Sequence, residues 1–166
     1  MPKPPYDLAD GVVDALDLNQ GANRLLFGAL ADDAWNADPP WGKGRTIAAI
    51  ASHMQNVRLM WLKSLAPAEA AKLGKADRRT ITRDEALASL EASHEALRAA
   101  VSVAAHGDGR IRDFPRGVAA FVGYAIAHDT HHRGQICALL RQLGHRLPDK
   151  VTFAMWEWGK GKVGAS

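Results

Sequence analysis

The chain has 166 residues, 47% of them apolar and 23% charged, which fits one folded domain spanning 1–166 and excludes wholesale disorder. Its formal charge of +3 sets 21 basic side chains against 18 acidic ones, the basic ones scattered in short clusters such as Arg78-Arg79, without the basic stripe and interleaved aromatics of a nucleic-acid binder. The single Cys137 excludes an intramolecular disulfide and agrees with a reducing compartment.

The opening MPKPPYDLAD lacks the apolar stretch of a signal peptide, and the run 117–127 is too short to cross a bilayer, so the expected location is the cytoplasm, away from membranes. From Asp7 to Trp35, alanines and the spacing of Leu16, Leu26, Phe27 and Leu30 predict a first helix. The stretch Asp38-Pro39-Pro40-Trp41-Gly42-Lys43-Gly44 opposes helix continuation and reads as a loop.

Thr46 can cap a second helix over 46–65, with Ile47, Ile50, Val57, Trp61 and Leu65 recurring on one side before Pro67. After a polar segment over 66–81, Thr82 and Glu85 form a capping-box signature for a third helix whose stripe is Leu87, Leu90, Leu97 and Val101. His106-Gly107-Asp108-Gly109 ends it. Pro115 suits the first turn of a fourth helix that runs to about Leu143 before Gly144, and Pro148 starts a short fifth one carrying Phe153, Trp156 and Trp158. Without strand alternation, these elements predict an all-α four-helix bundle with a short C-terminal helix.

The fourth helix contains His128-Asp129-Thr130-His131-His132-Arg133-Gly134-Gln135. His128 and His132 are four residues apart and share a face with Phe121, Ala125, Leu139 and Leu143, so both imidazoles point inward. Cys137 lies about 140° or more around the helix from both and reads as a small packed residue. On the second helix, His53 follows Ile50 and precedes Val57 on the apolar stripe. Inward histidines serve as hydrogen-bonded core residues or as metal ligands, and the pair on one turn points to a ligand role more strongly than His53 does. Three such imidazoles suit a divalent zinc, nickel, iron or copper ion and leave positions open for water or substrate.

His131, one position from His132, faces the rim, and His94, His106 and His145 are expected to be solvated or to cap helix ends. His-Asp-x-x-His is one substitution from the metalloprotease His-Glu-x-x-His motif, but the shorter Asp129 suits orientation of an imidazole, or solvation, better than proton transfer. Tyr124 lines the pocket or packs at the bundle rim. Gly134 is expected to permit close helix approach, Arg133 to reach a carboxylate or solvent, and Trp156-Glu157-Trp158 to cover a bundle end or a partner chain.

Ile50-Ala51-Ser52-His53-Met54-Gln55-Asn56-Val57, the His128–Gln135 run and the tail Leu143-Gly144-His145-Arg146-Leu147-Pro148-Asp149 together resemble the DinB-like family, from the first helix to Trp158. The resemblance implies an up-down bundle with a long crossover, often dimeric. It also implies one divalent ion, zinc or nickel, on His53, His128 and His132. Relatives include thiol-dependent S-transferases and an isomerase, metal-dependent hydrolases and stress-inducible proteins. The implied partners are therefore a second copy of the chain, a low-molecular-weight thiol and a small electrophile, and the implied activity is S-transfer or hydrolysis, with a non-catalytic metal-binding dimer as the alternative.

Overall fold

Asp7 starts the first helix by accepting from the backbone N–H groups of Ala9 and Asp10, which satisfies donors that every helix start leaves free. The structure, a computed structural model, describes residues 5–159; residues 1–4 of the proline-rich start and residues 160–166 lie outside it. Helix α1 covers Leu8–Gly28 and stops short of the expected end at Trp35. A 3-10 turn at Asp32–Ala34 instead carries Trp35 into the core, where its indole N–H donates to the Ile81 carbonyl at 2.8 Å. A buried indole needs such an acceptor.

Thr46 caps α2 (Ile47–Leu65). Pro67 opens a single-turn α3 (Pro67–Ala70) inside the segment expected to be polar connection. Thr82 and Glu85 make both halves of the capping box at the start of α4 (Arg83–His106). Helix α5 (Gly117–Gln142) begins two residues after Pro115: Gly117 sits at φ +77°, and a Cβ there would stand 3.0 Å from the Gly109 carbonyl. Gly144, at φ +84°, ends α5 as expected. The last helix, α6, is only Asp149–Ala154, so Trp156 and Trp158 fall beyond it.

The described residues contain no strand, and the all-α bundle of four long helices, α1, α2, α4 and α5, is observed. One apolar cluster joins the C-terminal end of α1 (Leu26, Phe27) and of α5 (Ile136, Leu140) to the N-terminal ends of α2 (Ile47, Ile50) and α4 (Ala86, Leu90). The other joins Val13, Leu16, Val118 and Phe121 to Leu59, Leu62, Leu97 and Val101. Helices α2 and α4 therefore run parallel, opposite to α1 and α5. That arrangement requires residues 66–82 to cross the whole length of the bundle, which is the long crossover.

Between the two apolar clusters lies a layer of buried polar side chains: Asn19, Gln20 and Asn23 from α1, Gln55 and Arg58 from α2, Ser93 and His94 from α4, and Asp129 and Arg133 from α5. Buried polar groups are costly unless partnered, and this layer is connected internally apart from single nitrogens of Gln20, Gln55 and His94. The Asp129 carboxylate accepts from Asn19 and Asn23 at 2.7 and 2.8 Å and from Arg58 at 2.6 Å. Arg58 also donates to the Gln20 side chain and to the Leu90 carbonyl. The layer ties all four long helices together at mid-height, and the histidines of α2 and α5 sit at its edge.

Candidate metal centre

His53 and His128 stand on facing helices with their Nε2 atoms 3.4 Å apart, and the Nε2 atoms of His128 and His132 are 3.2 Å apart. One nitrogen from each of the three lies within 4.8 Å of the others. Ligands held about 2.0–2.1 Å from a tetrahedral ion stand roughly 3.3–3.4 Å from one another, so the donor spacing fits a divalent cation. The sequence expectation that these three side chains converge is realised.

The outer nitrogens decide which face of each ring is free. His132 Nδ1 is 2.8 Å from the Gln135 side-chain oxygen, an acceptor, so Nδ1 carries the proton and Nε2 presents its lone pair inward. His128 Nδ1 faces the Asp129 carboxylate at 3.7 Å, which favours the same tautomer. Two inward lone pairs aimed at one point need a proton or a cation between them, and this is the chemistry of a ligand set.

Burial is the first cause that lowers the pKa of His53, followed by the neighbouring charges of His132, Arg45 and His128. Burial also leads at His132, where the Gln135 contact opposes it and the charges of His128, His131 and Arg45 add to it. Both imidazoles are thus biased toward the neutral form that a metal requires. The carboxylate of Asp129 is held ionised far below the usual range: burial opposes this, but the Arg58 charge, the nearby His128 ring and the hydrogen bonds of Asn23 and Arg58 outweigh it.

His131 is exposed, and its Nε2 lies 3.0 Å from the Gln135 amide nitrogen. It therefore supports Gln135 from the rim, as expected of a residue outside the ligand set. Tyr124 stands 6.1 Å from His128 between ring centroids and packs with Trp61, Phe114 and Phe121, forming an aromatic wall on one side of the imidazoles. On the other side His53 lines an open cavity of about 540 Å³ together with Ser52, Asn56 and Arg45.

Several expectations need correction. His94 is buried rather than solvated, with Nε2 2.9 Å from Asp17, because α1 passes close enough to supply a carboxylate. His106, by contrast, is exposed and contacts Asp10 and the Ser102 carbonyl near its own helix end. Arg133 reaches neither a carboxylate nor solvent: it is buried and donates to the side-chain oxygens of Asn19, Asn23 and Thr130. Gly134 faces open space, so it permits no close helix contact among the described residues. Trp156 is 76% exposed among the described residues, so it does not cover the bundle end there.

Sequence reasoning passed over Gln135, Arg58, Asn19 and Asn23 as parts of this centre. Gln135 had a readable signal, since it lies one helical turn from His132. The α1 residues had none, because their partners lie more than a hundred positions away.

A helical bundle whose facing helices bring three imidazoles to one point belongs to the class of candidate bundle metalloproteins. Within that class the assignment is specific: the DinB family profile matches residues 15–159, and the chain belongs to the DinB family. No curated protein and no solved structure matches it.

Proposed function

We propose that this DinB-family chain holds one divalent ion, zinc or nickel, on the Nε2 atoms of His53, His128 and His132, and that it is a metal-dependent S-transferase acting on a low-molecular-weight thiol and a small electrophile. The observation that carries the reading is the Nε2 cluster, with spacings of 3.2 and 3.4 Å, placed where His53 opens onto a cavity. An ion held there supplies Lewis-acid chemistry, acidifying a thiol or a water at the positions the imidazoles leave free.

The chain's own residues prepare the reaction. Gln135 fixes the His132 tautomer, and Asp129 faces Nδ1 of His128. The aromatic wall of Trp61, Phe114, Phe121 and Tyr124 closes one side, so the reactants enter from the side of His53. In the transfer, the thiol gives up its proton to solvent through the open cavity, its sulfur forms a bond to the electrophilic carbon, and the leaving group departs with the bonding pair. The imidazoles are assigned no nucleophilic role. The proposal places the protein in the cytoplasm as a homodimer. No helix among the described residues is long and apolar enough to cross a membrane, and the exposed Phe153 and Trp156 offer apolar surface for a second copy.

The test begins with elemental analysis of the purified protein, expected to find about one divalent ion per chain. His53→Ala, His128→Ala and His132→Ala each lose the ion, and His131→Ala keeps it. Full occupancy in the triple-alanine variant would sink the ligand assignment. Glutathione, bacillithiol and mycothiol are then offered with a panel of electrophiles, alongside ester and amide substrates. Turnover that needs both metal and thiol supports S-transfer. Metal-dependent turnover without a thiol moves the reading to hydrolysis, and metal without turnover leaves a non-catalytic metal-binding dimer.

A further inference from the structure

The cavity beside His53 has an unusual wall. Besides Ala49, Ser52 and Asn56 of α2, it is lined by Arg45 from the loop before α2 and by Lys75, Asp77, Arg78 and Arg79 from the crossover. Four cations face one carboxylate there, a surplus as large as the formal +3 of the entire chain. Lys75, Arg78 and Arg79 already lie close together in the sequence, and the fold adds Arg45 to them beside His53.

Like charges brought together in this way repel unless something neutralises them. None of Arg45, Lys75, Arg78 and Arg79 forms an ion pair among the described residues, whereas Arg24, Arg58, Arg83 and Arg98 each meet a carboxylate. Asp77 turns one side-chain oxygen to the Arg79 backbone N–H at 2.9 Å, where it shapes the local turn.

The crossover is also held in place. The Asn56 amide donates to the Ala76 carbonyl at 2.9 Å and accepts from the Ala76 N–H at 3.0 Å. This pair of hydrogen bonds fixes the backbone between Lys75 and Asp77 against α2, one helical turn from His53. Two further turn bonds, from the Thr80 and Ile81 N–H groups to the Asp77 carbonyl, order the chain that carries Arg78 and Arg79. A pinned cationic wall in a concave site recognises a small anion, whereas an extended polyanion needs a convex or grooved track.

We propose that this cavity binds a small organic molecule carrying two acidic groups, carboxylates or phosphates, seated against Arg45 and Arg78 with its reacting end toward His53. Guanidinium groups suit this task because they engage such groups through paired hydrogen bonds. That the bound molecule is a reactant rests on the metal-site reading; that the cavity binds a diacid does not, and the two are tested apart.

The test uses the full-length protein, chelated free of metal, titrated calorimetrically at low salt with succinate, with 2-phosphoglycolate and with the uncharged succinamide. Saturable binding of either diacid and none of succinamide is expected, with the tighter diacid identifying the preferred acid. Arg45→Gln combined with Arg78→Gln weakens binding by about tenfold or more, as expected for lost charge-assisted hydrogen bonds. The His128→Ala/His132→Ala variant, which tests the metal reading by its ion content and leaves every cavity-lining residue in place, retains diacid binding. Equal behaviour of succinate and succinamide overturns the proposal, as does unchanged affinity in the double arginine variant. A single-stranded oligonucleotide that binds through the same arginines more tightly than either diacid also overturns it, in favour of a nucleic-acid surface.

Discussion

His132 Nδ1 and the Gln135 side-chain oxygen meet at 2.8 Å across one turn of α5, and this contact sets which nitrogen of His132 looks into the bundle. Gln135→Leu removes the acceptor and leaves the ring free to turn or change tautomer. Metal affinity, measured by competition with a chromophoric chelator, is expected to fall by about 10–100-fold while helical content by circular dichroism stays unchanged. Equal affinity in the variant would mean that the ring is positioned by packing alone.

Asp129→Ala withdraws the one carboxylate from a layer that holds both Arg58 and Arg133. The loss leaves a buried guanidinium without its counter-charge and is expected to cost about 3–5 kcal/mol in urea unfolding of the metal-free protein. Combining Asp129→Leu with Arg58→Met removes both charges of the 2.6 Å pair and should recover part of that loss. A double variant as unstable as the sum of the single ones would show that the two side chains act independently.

His94 predicts the pH dependence. Burial is the first cause that lowers its pKa, and the Arg58 charge adds to it, against the opposing pull of Asp17; its Nδ1 has no hydrogen-bond partner, so a second proton there would be a stranded donor. Below the ordinary histidine value of about 6.5 the unfolded chain takes up the proton and the folded one resists it. Stability therefore falls as pH drops through that value and is regained above it. Denaturant unfolding of the chelated protein at pH 7.5 and 5.5 measures the loss. His94→Leu should reduce it without abolishing it, because His53 and His132 are biased in the same direction. An unchanged difference between the two pH values would remove His94 from this role.

The proposed homodimer makes the exposed aromatics of the C-terminal segment testable. Phe153 and Trp156 are 69% and 76% exposed, and replacing both with aspartate places charge in any apolar contact they make. Sedimentation velocity is expected to shift from dimer toward monomer, with the metal content retained. A variant that remains fully dimeric assigns the contact to another face.

Helix boundaries were most readable where a side chain closes its own backbone, as Thr82 and Glu85 do for α4 and Gly144 does for the end of α5. They were least readable where tertiary contact decides: Trp35 looked like the last turn of a helix, but its acceptor is the Ile81 carbonyl, 46 positions away. The inward face of α5 followed from apolar spacing around His128 and His132. Apolar spacing is blind to polar cores, however. The gap between Leu16 and Leu26 on α1 is filled by Asn19, Gln20 and Asn23, buried as deeply as any leucine, and nothing local says so. For the same reason Asp129 and Arg133, on an adjoining face of α5, gave no sign that they turn toward α1.

The ligand candidates are divided unevenly along the chain: His128 and His132 arrive together on α5, and His53 precedes His128 by 75 positions. During synthesis the first three long helices emerge before any part of the pair exists. No pair of facing imidazoles can form until α5 is released and docks, so the proposed three-histidine site is completed only at the end of assembly. A nascent chain halted before α5 carries only one of the three proposed ligands, and on that proposal acquisition of the ion would report that the last long helix has closed the bundle.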